Sequence, residues 1–266
     1  MAYGTPPGEP RPADPRSIDL NADLGEGLGG RQLTDDEALL TMVTSANVAC
    51  GFHAGDPSTM RKVCALAAAR GVRIGAQVSY HDLPGFGRRP MDVPPRELAD
   101  EVAYQIGALR VFAQAAGTDL AYVKPHGALY NRIVWDEGQA DAVVDGILLA
   151  GGELPVLGLP GSAVHRSAAA ARLPVVTEAF ADRAYRPDGT LVPRTEPGAV
   201  ISDPEHVIKR SVMMVTEGSV FAANGERVPV AAESLCLHGD TPGAVELAVR
   251  VREALLAAGV NIRPFV

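Results

Sequence analysis

The feature that most constrains the fold of this chain is a regular alternation of short apolar runs with longer amphipathic or alanine-rich stretches. Seven apolar runs have the length of a β-strand, and each precedes a stretch with helical character. The predicted strands cover residues 17–21, 46–50, 72–78, 120–124, 154–159, 174–178 and 234–238. The predicted helices cover residues 35–43, 57–70, 94–116, 136–150, 161–171, 203–217 and 241–259. Strands that alternate with helices predict an α/β fold with a parallel sheet and right-handed crossovers.

The length of the chain narrows the architecture further. At 266 residues it is close to the roughly 250 residues of an α/β barrel, so the sheet is expected to close into a barrel or to remain doubly wound. We find no internal repeat and no linker, so residues 17–266 are predicted to form one domain behind a flexible Pro-rich tail, residues 1–16. The least regular segment, residues 182–198, is typical of a functional or disordered loop.

Composition argues against several classes of function. The formal net charge of −8 disfavours nucleic-acid binding, which depends on neutralising phosphates. No apolar run reaches the ~20 residues of a membrane-spanning helix, and the first residues lack the apolar stretch of a signal peptide. Cys50, Cys64 and Cys236 are spaced too widely for a disulfide framework or a CxxC metal pair, which favours a cytoplasmic location.

Polar residues gather where the predicted strands end. The groups at these ends are Asn21, Asp23 and Glu26; Asn47, His53 and Asp56; Tyr80, His81 and Asp82; Lys124 and His126; Glu178 and Asp182; and His238 and Asp240. Parallel strands present their carboxyl ends on one face, where α/β barrels and open α/β sheets place their active sites. A single His or Asp in a turn is more often structural, but the coincidence across the strands predicts a site on this rim.

The sequence contains no strong nucleotide-binding or nucleophile motif. The segment GEGLGG, Gly25 to Gly30, fits G-x-G-x-x-G, but Asp23 and Glu26 place negative charge where a pyrophosphate would lie. No G-x-x-x-x-G-K-[ST] motif for ATP occurs. Cys50 has no nucleophile elbow around it, and a buried strand residue is the favoured interpretation.

Divalent metal binding is an open alternative for the rim. Asp23, His53 and His126 are candidate ligands, and the identity of the metal is left open. Asp56, three residues after His53, and His238 could complete a mixed nitrogen and oxygen set. Alternatively, these groups hydrogen-bond one another and the substrate. No H-E-x-x-H motif or H-x-H pair decides between the two.

Seven blocks of sequence carry a resemblance to a known family. In chain order they read DLNADLGEG, ANVACGFHAGD, GFGRR, VKPHGALYN, EAFADRAY, LVPR and LCLHGDTPGA. The match runs from about Ile18 to Phe265 with all blocks in order, and so many blocks are far more specific than any single short motif. The chain resembles the lactam-utilisation family, whose members are understood as the A subunit of prokaryotic ATP-dependent 5-oxoprolinase.

The resemblance implies a fold, a reaction and partners. The implied fold is an irregular seven-stranded parallel (β/α) barrel similar to those of glycoside hydrolases and polysaccharide deacetylases. The implied reaction converts 5-oxo-L-proline, ATP and water to L-glutamate, ADP and phosphate. ATP, with Mg²⁺, is then a co-substrate that partner subunits could handle, and no tightly bound cofactor is evident. The implied partners are subunits B and C, which are separate chains.

Hydrolysis of a lactam suggests roles for the rim residues. A water that attacks the ring carbon needs a general base, the leaving nitrogen needs an acid, and the developing charge needs a cation. The candidate catalytic residues are Asp23, Glu26, His53, Lys124, His126 and His238. The candidate substrate-binding residues are Asn21, Asn47, Asp56, Arg88, Arg89, Glu178, Asp182, Arg183, Arg194 and Asp240. The arginines are included because the substrate carboxylate favours a guanidinium partner.

One block departs from the family pattern. Members of the family often carry GAHPSYPD where this chain reads GAQVSYHD, so Gln77 replaces a His and His81 replaces a Pro. A Gln side chain can hydrogen-bond but cannot shuttle protons, which puts any proton transfer at that position in doubt. His81 could compensate for the loss or only fill space.

Two other functions stay open at this point. One is a metal-dependent carbohydrate hydrolase or deacetylase built on the same barrel. The other is a non-catalytic subunit that binds only a ligand or its partner chains.

Overall fold

The computed structural model describes residues 17–27, 34–238 and 243–266. Several predictions fall outside these ranges: the Pro-rich tail, the end of the glycine-rich turn from residue 28 onward, Asp240, and the predicted start of the last helix.

The described residues contain ten strands and eight helices in chain order. The strands are β1 (Ser17–Leu24), β2 (Ser45–Ala49), β3 (Arg73–Val78), β4 (Leu120–Pro125), β5 (Val156–Gly158), β6 (Val175–Phe180), β7 (Ser219–Phe221), β8 (Arg227–Pro229), β9 (Ser234–Leu237) and β10 (Asn261–Ile262). The helices are α1 (Asp36–Leu39), α2 (Pro57–Arg70), α3 (Pro95–Ala115), α4 (Gly127–Arg132), α5 (Glu137–Leu149), α6 (Ala163–Ala170), α7 (Pro204–Glu217) and α8 (Ala244–Ala257).

Seven strands close into a parallel barrel. Their order is β1, β2, β3, β4, β5, β6, β9, and β9 pairs with β1 to complete the circle. At the closure Asn21 of β1 lies opposite Cys236 of β9, and on its other side it lies opposite Ser45 of β2. The predicted seven-stranded (β/α) barrel is therefore confirmed. The doubly wound alternative was wrong, because β1 and β9, which would be the two edges of an open sheet, pair with each other.

The alternation of side chains along β1 explains why the barrel has a polar interior. The apolar side chains of Ile18, Leu20, Ala22 and Leu24 belong to the main hydrophobic core. Between them Asp19, Asn21 and Asp23 are also buried, but they contact polar side chains from other strands of the barrel. Because successive side chains of a strand point to opposite faces, one strand serves both the core under the helices and the barrel interior.

Four elements, one helix and three short strands, were not predicted from the sequence. Helix α4 follows β4 directly and has only six residues, which is too short for a helical period to be recognised. The antiparallel hairpin of β7 and β8 and the short strand β10 are likewise too short to give a clear alternation. Each of the seven predicted strands and seven predicted helices has a counterpart, with ends shifted by a few residues.

The Pro- and Arg-rich segment 182–198 is packed against the barrel. Tyr185 is buried and its hydroxyl accepts a hydrogen bond from the backbone N–H of Phe180, 2.9 Å away. Isolated bridges pair Tyr185 with Leu191 and Arg183 with Val200. Of the two interpretations given for this segment, a functional or a disordered loop, disorder is ruled out because backbone hydrogen bonds and the buried Tyr185 ring hold the segment against the fold.

No helix in the part of the chain that the structure describes is both long and apolar enough to cross a lipid bilayer.

Close packing inside the barrel generates a prediction about Gly75. This residue lies opposite Tyr122 in the β3–β4 register, and a Cβ atom at this position would overlap the buried Tyr122 ring. Gly75→Ala is therefore expected to lower the free energy of unfolding by about 1–3 kcal/mol, which is the usual cost of adding a side-chain carbon to a packed core.

Gly107→Ala is the matched control, because an added Cβ on this exposed face of α3 meets nothing within 4 Å. The control is expected to raise stability by up to about 1 kcal/mol in urea unfolding. Equal stability of the two variants would contradict the packing argument.

Candidate functional site

Lys124 is the centre of the polar interior. It lies at the end of β4, is buried, and its Nζ is 2.7 Å from Glu178 Oε1 and 3.3 Å from Asp23 Oδ1. The same ammonium donates to Asn21 Oδ1 at 3.1 Å and lies 3.2 Å from Cys236 Sγ. Side chains from three other strands, β1, β6 and β9, therefore meet on one cation inside the barrel.

The charges of this group stabilise one another. Burial opposes ionisation of Lys124, but the carboxylates of Asp23 and Glu178 outweigh it and raise the pKa of the ammonium well above its ordinary value. Burial also opposes ionisation of Asp23, yet Lys124 and the neighbouring histidines lower the pKa of that carboxyl below its ordinary value. Asp23 is therefore an acceptor at neutral pH.

A chain of hydrogen bonds continues from this centre along the barrel. Asn47 Nδ2 donates to Asn21 Oδ1 at 2.7 Å and to Asp23 Oδ1 at 2.8 Å, and the Tyr122 hydroxyl donates to Asn47 Oδ1 at 2.6 Å. Deeper still, Asp19 accepts from three hydroxyl groups, and burial nevertheless raises the pKa of its carboxyl to about 6. The donors are Thr44, Ser45 and Ser234.

A second group at the carboxyl ends of the strands contains two imidazoles. His53 and His126 stack with ring centroids 4.2 Å apart, and both are buried. His126 Nε2 is 3.8 Å from Glu26 Oε1, and His53 Nε2 is 3.2 Å from Gln77 Oε1. Gln77 Nε2 in turn donates to Glu26 Oε1 at 3.3 Å. We refer to Glu26, His53, Gln77 and His126 as the imidazole cluster.

Burial keeps both imidazoles of this cluster neutral. It lowers the pKa of His53 to about 4 and that of His126 well below its ordinary range, and in both rings it outweighs the negative charge of Asp23, which acts in the opposite direction. Neutral imidazoles have a lone pair on one ring nitrogen, so they can accept a proton or bind a metal ion.

An imidazole–carboxylate pair lies on another part of the rim. His238 Nδ1 is 2.7 Å from Asp182 Oδ1, and the His238 ring stacks on Phe180 with centroids 5.7 Å apart. A carboxylate can only accept, so Nδ1 carries the hydrogen and Nε2 keeps its lone pair in the neutral ring. Burial opposes ionisation of Asp182, but His238 lowers the pKa of that carboxyl below its ordinary value.

The turn after β2 combines a helix cap with the wall of the site. Asp56 Oδ1 accepts from Thr59 N at 2.9 Å and is the N-cap of α2, which begins at Pro57. Gly55 has φ 82°, and an added Cβ would lie 3.0 Å from two carbonyl oxygens. The cap explains the position of Asp56 without a ligand. His53, which lies in the same turn, belongs to the imidazole cluster.

The four candidate arginines have different environments. Arg89 binds the buried carboxylate of Asp82, and Arg183 donates to the carbonyl oxygens of Val192 and Ala199 at 2.6 and 3.3 Å. These contacts hold loop structure. The exposed Arg88 guanidinium lies 4.9 Å from the Phe86 ring centroid, and Phe86 contacts both His53 and His126 edge-on.

Arg194 is half-buried, and its charge acts on the carboxyl of Asp182 and the guanidinium of Arg183. Of the four arginines, Arg88 is thus the one placed against the imidazole cluster by ring contacts.

The structure brings most of the predicted site residues together on or below one rim. They are Asn21, Asp23, Glu26, Asn47, His53, Lys124, His126, Glu178, Asp182 and His238. Gln77 was noted only as a departure from the family pattern, yet it joins Glu26 to His53. His81 does not stand in for it, since its exposed ring stacks on Phe52 with centroids 4.5 Å apart.

Other interior residues were missed or assigned to a different role. Asp19 was not singled out, although the alternation of polar and apolar residues in SIDLNADL would have identified it. Cys50 was predicted to be a buried strand residue, and it is buried directly after β2. Cys50 and Cys236 are both free thiols whose pKa is raised by burial.

The arrangement offers three kinds of chemistry side by side. The His238–Asp182 pair can transfer a proton, Lys124 supplies a fixed positive charge below the rim, and the imidazole cluster presents lone pairs. The Asp23 carboxylate, held by Lys124 and Asn47, belongs to the charged centre below these two histidine groups.

Comparisons of sequence and of structure agree on the group of proteins that this chain is similar to. Residues 18–266 match the LamB/YcsF family. A Streptomyces avermitilis protein, named as the A subunit of 5-oxoprolinase, is 71% identical over 248 residues, which cover 93% of this chain and 99% of that protein. The Mycolicibacterium paratuberculosis protein of the same name is 59% identical over 93% of this chain and 98% of its own length. The crystal structure of the lactam utilization protein from Thermus thermophilus has a TM-score of 0.88 at 45% identity, covering 94% of this chain and 100% of that one.

The ion pairs of Lys124 generate a prediction about stability. Lys124→Met removes the ammonium and leaves the buried carboxylates without their cation, which is expected to lower the free energy of unfolding by about 3–5 kcal/mol at pH 8. In the wild type, Lys124 lowers the pKa of Asp23, and the ion pair stabilises the fold at neutral pH. In the variant, burial raises the pKa of Asp23 and no ammonium opposes this effect. The loss of stability relative to the wild type therefore grows as the pH rises and is smaller at pH 5.

Urea unfolding at pH 5 and pH 8 measures this difference. Lys62→Met on the exposed face of α2 is the control and should change stability little at either pH. A loss for Lys124→Met that is the same at both pH values would contradict the proposed electrostatic origin.

Proposed function

The chain belongs to the LamB/YcsF family, and on this premise we propose that it is the A subunit of an ATP-dependent 5-oxoprolinase. In this role it opens the lactam ring of 5-oxo-L-proline to give L-glutamate. The single observation that carries the substrate class is its near full-length similarity to proteins that bear the name of this 5-oxoprolinase component. The barrel rim supplies the acid–base groups that such a reaction requires.

Hydrolysis of a five-membered lactam to an amino acid is not favourable enough to run unaided, which explains a need for ATP. In the mechanism we propose, the γ-phosphoryl group is transferred to the lactam oxygen and ADP leaves. A water then adds to the activated carbon, the ring C–N bond breaks, and the nitrogen takes up a proton. The resulting acyl phosphate reacts with a second water to release L-glutamate and phosphate.

In this scheme we assign proton transfer to the His238–Asp182 pair. Asp182 holds Nδ1–H of the imidazole, so Nε2 can take a proton from the attacking water and later return it to the ring nitrogen. The ionised Asp23 carboxylate, fixed by Asn47 and Lys124, favours positive charge on the neighbouring imidazoles when they take up a proton. Lys124 offsets negative charge that develops in the site.

The substrate carboxylate needs a cationic partner, and we assign it to Arg88. This guanidinium is exposed and lies over Phe86, whose ring packs against both histidines of the imidazole cluster. A planar guanidinium can hold a carboxylate by two parallel hydrogen bonds.

ATP binding is proposed to lie with partner chains, subunits B and C, and to require Mg²⁺. The relatives are named as one lettered component of 5-oxoprolinase, which implies a multisubunit enzyme. The sequence has no Walker-type motif, which fits a division of labour between the chains.

The first functional prediction is that activity requires the assembled complex. The purified chain with 5-oxo-L-proline and ATP should release little or no glutamate, and adding the two partner chains should give ATP-dependent release. His238→Gln should lower turnover of the complex about 10²–10⁴-fold, since the general acid–base group is lost. His206→Gln on the exposed surface of α7 is the control and should leave turnover unchanged.

Assembly of each variant is checked by co-purification, so that loss of activity is separated from loss of the complex. Robust glutamate release by the isolated chain would contradict the division of labour. Near wild-type turnover of an assembled His238→Gln complex would remove His238 from the mechanism.

The second functional prediction concerns recognition of the substrate. Arg88→Gln in the assembled complex should raise KM at least about tenfold with a smaller change in kcat, because the loss is of binding rather than of chemistry. Arg88→Lys should recover part of the affinity, since Lys keeps the charge but not the paired hydrogen bonds. Steady-state kinetics of the two variants test the assignment, and an unchanged KM for Arg88→Gln would rule it out.

A further inference from the structure

We propose that Glu26, His53 and His126 form a binding site for one divalent transition-metal ion of the zinc class. The binding itself does not depend on the proposed function. Only the use of the ion in lactam opening rests on that function.

The geometry of the three side chains carries this inference. One nitrogen from each ring and one oxygen of Glu26 all lie within 4.8 Å of one another, and all three residues are buried. His126 Nε2 and Glu26 Oε1 are 3.8 Å apart, which is too long for a hydrogen bond. Two ligands that each lie about 2.0–2.2 Å from one ion can be separated by such a distance.

An unpartnered ring nitrogen provides a second, independent observation. Within the described part of the chain, His53 Nδ1 is buried and has no hydrogen-bond partner. Buried polar atoms in native proteins nearly always have a partner, so each such atom requires an explanation. A bound cation satisfies a lone pair in this position without a hydrogen-bond donor.

Gln77 has the position of a second-layer residue for such an ion. Its Oε1 can only accept, so the 3.2 Å contact places the hydrogen of His53 on Nε2 and leaves the lone pair on Nδ1. Its Nε2 donates to Glu26 at 3.3 Å and orients the carboxylate. Metal-ligating histidines commonly donate their second nitrogen to an oxygen atom in this manner.

The donor set selects the class of ion. Two imidazoles and one carboxylate suit zinc and other nitrogen-preferring metals, whereas Mg²⁺ and Ca²⁺ prefer oxygen ligands alone. Three protein ligands also leave a coordination position open for water or a substrate oxygen. Asp23, one of the ligands considered from the sequence, is committed to Lys124 and Asn47 instead.

The test is a titration of metal-stripped protein with ZnCl₂ by isothermal calorimetry, with MgCl₂ as the comparison. We expect one Zn²⁺ per chain and much weaker binding of Mg²⁺. Glu26→Gln, which keeps the shape of the side chain, and His126→Gln should each weaken Zn²⁺ binding at least about tenfold. Gln77→Ala should weaken it about 10–100-fold, the effect typical of outer-layer partners. His206→Gln is the control for adventitious binding at an exposed histidine and should keep wild-type affinity.

Circular dichroism establishes that each variant is folded, and Zn²⁺ should raise the melting temperature of the wild type but not of Glu26→Gln. Absence of a one-to-one Zn²⁺ site in the wild type would overturn the proposal. So would affinity that survives both ligand substitutions or is lost in His206→Gln. Zinc binding without lactam hydrolysis by the complex would refute the proposed function alone, and hydrolysis by a complex that binds no Zn²⁺ would refute the metal site alone.

Discussion

The ion pairs of Lys124 with Glu178 and Asp23 are the constraint on which the rest of the barrel interior depends. A buried ammonium requires opposite charge at close range, and here carboxylates from β6 and β1 supply it. Buried ion pairs are a costly way to stabilise a fold, because apolar side chains of similar volume often do as well. Under the proposed function, the fixed charge that these ion pairs hold beneath the rim is the reason for keeping them there.

The polar interior is organised in levels along the barrel axis. At the deepest level Asp19 accepts from hydroxyl groups, and above it Asn47 joins Asn21 to Asp23. The ends of the strands then carry the imidazole cluster and the His238–Asp182 pair. Each level restricts the one above it, because a side chain with all its hydrogen bonds made has few alternative rotamers. The reactive groups are thereby held on a rigid support.

Much of the fold could be predicted from periodicity alone. The seven barrel strands follow from short apolar runs, and the helices between them follow from longer amphipathic patterns. The hairpin of β7 and β8 and helix α4 were missed, since elements of three to six residues contain too few repeats to show a period. Gln77 was noted as unusual, but its contacts could not be predicted from the sequence. They join Gln77 to His53 and Glu26, which lie 24 and 51 positions away in the chain.

The sequence by itself determined the order of strands and helices, the parallel sheet, and the face on which the polar residues would gather. These properties depend on local patterns and on the chirality of the chain. Only the tertiary structure decided which polar groups became partners. Lys124 pairs with carboxylates about a hundred and about fifty residues away, and His238 pairs with Asp182 across two neighbouring strands. Such partners are set by the closure and register of the barrel, in which distances across the interior bear no relation to separation along the chain.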